Sequence, residues 1–77
     1  EVIHTGNPHL FGYLRTFKHK KILIINNFSE EFQKMDAVHL NTSGVKDNVM
    51  NLINNDVLSS GKDLVLNGHQ SVWLDIS

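Results

Sequence analysis

The sequence predicts an all-β fold, a small antiparallel sandwich or barrel of six to eight short strands. Three observations carry this expectation. Aliphatic and aromatic stretches of strand length recur at near-regular spacing along the chain. Clusters of Gly, Asn, Asp, Ser and Pro, such as Gly6-Asn7-Pro8, Asn54-Asn55-Asp56 and Asn67-Gly68, punctuate them. No stretch shows the apolar stripe of an amphipathic helix.

Taken in order, Glu1 to Thr5 is rich in β-branched residues and meets the Gly6-Asn7-Pro8 turn, which leads back along His9 to Thr16 as a hairpin. A basic turn in the cluster Lys18-His19-Lys20-Lys21 then feeds a strand from Lys21 to Asn26. Side chains alternate across a strand, so Ile22 and Ile24 take one face and Leu23 and Ile25 the other. Both faces of that strand are therefore apolar, whereas a two-layer sandwich covers one face of each sheet. The second face asks for a partner outside these residues, or for cover from the chain's own loops.

The Asn26-Asn27-Phe28-Ser29 corner turns the chain into a third strand, about Phe32 to Val38, with Gln33, Met35 and Ala37 opposite Phe32, Lys34 and Asp36. His39 to Asn48 is polar and reads as a loop. Val49 to Ile53 is a short strand, Val57 and Leu58 add a few paired residues, and Asp63 to Leu66 is strand-like. Asn67-Gly68 carries the signal of a type I′ hairpin turn, pairing that strand with His69 to Ile76. In this last segment Val72, Leu74 and Ile76 face one way and Ser71, Trp73 and Asp75 the other.

Composition bounds the function. A chain of 77 residues forms one domain with a modest core. It has no Cys, and no secretory signal opens it, so a cytoplasmic, bacterial-type protein is the expectation. Seven Lys and Arg against eight Asp and Glu leave no basic footprint for nucleic acid or an anionic membrane surface. The longest apolar run, Ile22 to Ile25, falls far short of the roughly 20 residues that span a bilayer. Glu1 stands where an initiator Met would, which reads as a piece of a longer polypeptide.

No catalytic, cofactor-binding or metal-binding constellation is legible. The five histidines, His4, His9, His19, His39 and His69, are scattered without a zinc-ligand spacing. The carboxylates form no readable pair for general acid–base work, and the serines lack a nucleophile-elbow context. The five glycines stand singly, so no phosphate-cradling loop is present. Asn27-Phe28-Ser29 and Asn41-Thr42-Ser43 match the glycosylation sequon as chance matches in an Asn-rich chain. Trp73 and Tyr13 are candidates for packing under a neighbouring domain or, second, for stacking on sugar rings.

Several stretches together resemble one family's domain. Asn7-Pro8-His9-Leu10-Phe11-Gly12-Tyr13-Leu14-Arg15 is similar to an opening strand in which Tyr, an aliphatic residue and Arg follow a small residue. Ile22-Leu23-Ile24-Ile25-Asn26-Asn27-Phe28-Ser29 resembles the second strand and its Asn-Phe-Ser corner. Leu52-Ile53-Asn54-Asn55 looks like a late strand and turn, and Leu64-Val65-Leu66 with Ser71-Val72-Trp73-Leu74-Asp75-Ile76 like a closing hairpin. The family is the α-amylase family of glycoside hydrolases and transglucosidases, and the domain is its C-terminal β-domain. The Gly-Tyr-Leu-Arg strand and the Trp-Leu-Asp-Ile ending lean toward amylosucrases and α-glucosidases. One departure is that Leu66-Asn67-Gly68-His69 stands where the family has Leu-x-Pro-Tyr.

The resemblance implies a Greek-key sandwich packed on a catalytic (β/α)8 barrel of the same polypeptide, whose catalytic carboxylates lie on the barrel and have no counterpart here. It gives the doubly apolar strand a role, with Leu23, Ile25, Trp73 and Tyr13 as the candidate domain interface. Two alternatives stand beside it: a β-sandwich module that binds α-glucan, and an Ig-like interaction domain without the Cys–Trp–Cys framework.

Overall fold

The computed structural model describes residues 1–77 and contains eight strands and one short helix. They are β1 (Val2–Ile3), β2 (Leu10–Phe17), β3 (Lys20–Asn27), β4 (Gln33–Met35), α1 (Ala37–Thr42), β5 (Val49–Asn51), β6 (Val57–Leu58), β7 (Leu64–Leu66) and β8 (Ser71–Asp75). Six strands form one antiparallel sheet in the order β1-β2-β3-β8-β5-β6, and β4 with β7 forms a second. The last strand, β8, enters between β3 and β5, so the sheet order departs from chain order. This is a small all-β sandwich, one of the two antiparallel architectures that the alternating segments and turn signals predict.

The inner layer follows from strand parity. In the large sheet Gly12, Ile25 and Val72 lie opposite one another, as do Leu14, Leu23 and Leu74, and these rows face the second sheet. Leu23 and Ile25 (0% exposed) join Leu10, Val49, Val72 and Leu74 against Met35, Leu64 and Leu66 from β4 and β7. Leu40 of α1 and Val45 beyond it complete this cluster.

Two expectations are corrected. The strand expected over Phe32 to Val38 stops at Met35, and α1 occupies the start of the expected loop. Asp36 caps the helix by accepting the His39 backbone N–H at 2.8 Å. At the other end Gly44 (φ 116°) donates to Asn41 O and Val45 to Leu40 O, the Schellman arrangement. Its accompanying apolar contact joins Val45 to Leu40, so a helix of six residues is fastened at both ends and to the core.

The second correction concerns Asn67-Gly68. β7 pairs with β4, not with β8, so the expected closing hairpin is a crossing from one sheet to the other. The positive φ falls on His69 (58°), and Gln70 N donates to Asn67 O at 3.0 Å. Gly68 is required for a different reason. A Cβ there would lie 2.2 Å from the carbonyl oxygen of Glu30, so the two backbones approach more closely than any side chain permits.

Asn27 ties the sheets together. Its side-chain NH2 donates to the carbonyls of Glu31 (2.8 Å), Asn67 (3.0 Å) and Leu66 (3.2 Å), while Oδ1 accepts from Ser29 N (2.9 Å) and Oγ (2.8 Å). Asn27 is thus a buried bracket between β3 and β7. Asn7 does the same at the opposite turn, donating to Gln33 Oε1 and to Lys34 O. No buried side-chain nitrogen or oxygen lacks a partner.

Candidate docking surface

The outer face of the large sheet is built from the opposite parity of the same strands. Opposed residues point to one side of a sheet, so the register defines its rows. Val2, Tyr13, Ile24 and Trp73 form one row across β1, β2, β3 and β8. Arg15, Ile22, Asp75 and Met50 form the next, and Phe17 lies opposite Lys20 at the hairpin end. Toward the other end Phe11 sits opposite Asn26, its ring centroid 5.9 Å from Tyr13 and 6.3 Å from Phe28.

No layer of this chain covers that face. Phe17 is 64% exposed and Trp73 42%, and Val2, Phe11, Phe28, Met50 and Leu52 are exposed as well. Ile24 is the exception at 2%, because Tyr13 and Trp73 flank it on the neighbouring strands. Arg15, Phe17, Ile22, Ile24 and Trp73 surround an open hollow of about 360 Å³. An apolar area shared among adjacent strands differs from singly exposed hydrophobics, which are ordinary on any surface.

Charge is confined to one margin. Lys20 Nζ pairs with Asp75 Oδ2 at 3.1 Å. Hydrogen bonds from the Ser77 side chain and backbone, with Lys20 beside them, hold the Asp75 carboxyl down at about 2. Arg15 enters no ion pair; the other two in the chain are Lys34 with Asp63 and His39 with Asp36.

The four residues expected to form one interface divide between two faces. Tyr13 and Trp73 lie on the open face. Leu23 and Ile25 are corrected to core positions, since their strand parity aims them at Met35, Leu64 and Leu66. Sequence reasoning did not single out Phe11, Phe17, Ile22, Ile24 or Arg15 as surface-forming. The signal lay in β2, where Phe11, Tyr13, Arg15 and Phe17 occupy alternate positions of one strand.

Elsewhere the side chains have structural partners. His39 Nδ1 lies 2.7 Å from Asp36 Oδ1, and the His4 ring centroid is 5.5 Å from that of His39. The backbone N–H of His39, and then its side chain, lower the Asp36 carboxyl pKa. No group of three or more His, Asp or Glu side chains could hold a metal ion. A hollow of about 410 Å³ beside Ile3 to Leu10 is lined by the first turn, where Thr5 and Asn7 are already engaged in hydrogen bonds. No helix is long and apolar enough to cross a membrane.

Fold and surface define a small antiparallel β-sandwich with one open apolar sheet face. No protein-family profile and no curated protein sequence matches the chain. Among solved structures, the fold superposes on part of AmyP, crystallised in complex with maltose, with a TM-score of 0.73 and 12% identity. The match covers 92% of this chain and 15% of that one, so the fold occurs there as one part of a much longer polypeptide.

Proposed function

We propose that this chain is the non-catalytic C-terminal β-domain of an α-amylase-family enzyme acting on α-glucosidic bonds, in α-glucan or sucrose. Its role is to dock on the catalytic (β/α)8 barrel of the same polypeptide and stabilise it. The observation that carries the reading is the open face, on which aliphatic and aromatic residues from adjacent strands stand uncovered by the chain's own loops. The structural likeness to a fraction of AmyP, a protein seen with maltose, agrees with the family resemblance read from the strands. Tyr13 and Trp73 remain in the docking surface, joined by Phe17 and Ile22.

The test is to express the full-length gene product with and without residues 1–77. Removal should lower the melting temperature and the soluble yield of the remainder, because an apolar barrel surface is left in water. A truncated enzyme with unchanged melting temperature and activity would sink the proposal.

A second reading has one observation in its favour. Trp73 is half exposed on the face that also carries the Phe11, Tyr13 and Phe28 rings, as sugar stacking needs. Since Trp73 is the only tryptophan, titrating maltoheptaose against its fluorescence decides. An unchanged spectrum at millimolar sugar excludes the α-glucan-binding module.

A further inference from the structure

We infer that the surface docking on this face carries a carboxylate placed to receive Arg15. The inference rests on the docking reading above and adds the chemistry of the occupant. Arg15 lies on the outer parity of β2, opposite Ile22, and its side chain forms one wall of the hollow shared with Phe17, Ile22, Ile24 and Trp73. The other walls are apolar. Whatever fills that hollow also takes water away from the guanidinium.

A desolvated guanidinium needs acceptors, since an unpaired buried charge is among the most costly features a protein interface can hold. This chain supplies none. Asp75, the one carboxylate in the same row, is two strands away and engaged with Lys20 and Ser77. The planar fork of Arg matches a carboxylate with two parallel hydrogen bonds, so one Asp or Glu on an otherwise apolar surface completes the fit. On the docking reading the occupant is a patch of the same polypeptide, and the Arg15 chemistry makes that patch apolar around one acidic side chain.

The sign of one substitution separates this from simple apolar contact. If the occupant brings a carboxylate, Arg15→Met strands that carboxylate and weakens docking. If it brings none, Arg15→Met removes an unpaired charge and strengthens docking. A thiol reporter reads the difference, because the chain has no cysteine of its own. Met50→Cys sits in the Arg15 row, and Val65→Cys, exposed on the second sheet, is the control.

In the full-length gene product Met50→Cys should be alkylated at least tenfold more slowly than in the 77-residue chain, with Val65→Cys unchanged between the two. Adding Arg15→Met should speed Met50→Cys labelling by roughly tenfold or more, up to the rate of the 77-residue chain, as expected for a lost charge-assisted hydrogen bond, with Arg15→Lys between. The 77-residue chain carrying Arg15→Met should keep its melting temperature, which separates lost docking from lost folding.

Protection that persists or grows with Arg15→Met overturns the carboxylate inference and leaves docking standing. Equal labelling in the two wild-type contexts, or a gene product no longer than this chain, overturns both. Protection of the isolated chain that rises with its concentration assigns the face to a second copy and overturns the inference.

Discussion

Asn27 offers the sharpest test of what joins the two sheets. It is 2% exposed, and its two amide hydrogens serve three carbonyls, so the longest of these contacts, to Leu66, shares a proton. The two protons it donates and the two bonds it accepts from Ser29 make a set of four. At about 1 kcal/mol each they sum to roughly 4 kcal/mol. A domain of this size has a total stability of about 4–12 kcal/mol, so Asn27→Ala should remove about 3–4 kcal/mol, a quarter of it or more.

Asn27→Asp is the more informative change. It keeps the oxygen that Ser29 uses but turns a second oxygen toward the carbonyls of Glu31, Leu66 and Asn67. At neutral pH this buries a carboxylate among acceptors, which should cost more than alanine does. The protonated acid can donate to one carbonyl, so the folded state raises the pKa above its unfolded value of about 3.9. Stability of this variant is then retained below pH about 4 and lost as the pH rises through the raised pKa. Urea unfolding followed by Trp73 fluorescence at acid and neutral pH measures both effects. An Asn27→Ala loss under about 1 kcal/mol, or an Asn27→Asp variant equally stable at both pH values, would refute the bracket.

Other expectations are as direct. Gly68→Ala places a Cβ against Glu30 O, and calorimetry should show a melting temperature lower by roughly 10 °C or more, since 1 kcal/mol corresponds to about 4–8 °C at this size. Leu23→Ala should remove about 2–5 kcal/mol by opening a core cavity, whereas Phe17→Ser should cost under about 1 kcal/mol in the isolated chain and raise its solubility. The depressed Asp75 carboxyl contributes stability that is present above pH about 4 and lost as the pH falls toward about 2. Asp75→Asn should flatten that part of the pH–stability curve, and an unchanged slope would show that the Ser77 and Lys20 contacts do not form in solution.

The fold class was legible because side-chain alternation and turn residues are local signals. The last segment told its own inner face correctly, with Val72 and Leu74 buried. The run Ile22-Leu23-Ile24-Ile25 could not, because both parities are aliphatic and only pairing with β8 decides which one is core. That ambiguity split the expected interface. Asn67-Gly68 misled for a related reason, since the pair is a local hairpin signal but the glycine answers to Glu30, distant in sequence. The helix had its stops written at Asp36 and Gly44, yet six residues are too few to display a period. The outer face needed the register of β2, β3 and β8 together, which no single segment contains.

The position of β8 has a consequence for synthesis. Until Ser71 to Asp75 emerge, β3 and β5 have no partner on the sides they turn to each other, and the sheet exists as two unjoined portions. Each portion then offers a row of free backbone donors and acceptors that another chain could use. A nascent or nicked chain lacking its last strand is thus a template for strand exchange between molecules. Completion of this sheet must wait for β8, and quality control that senses open strand edges would recognise a chain that lacks it.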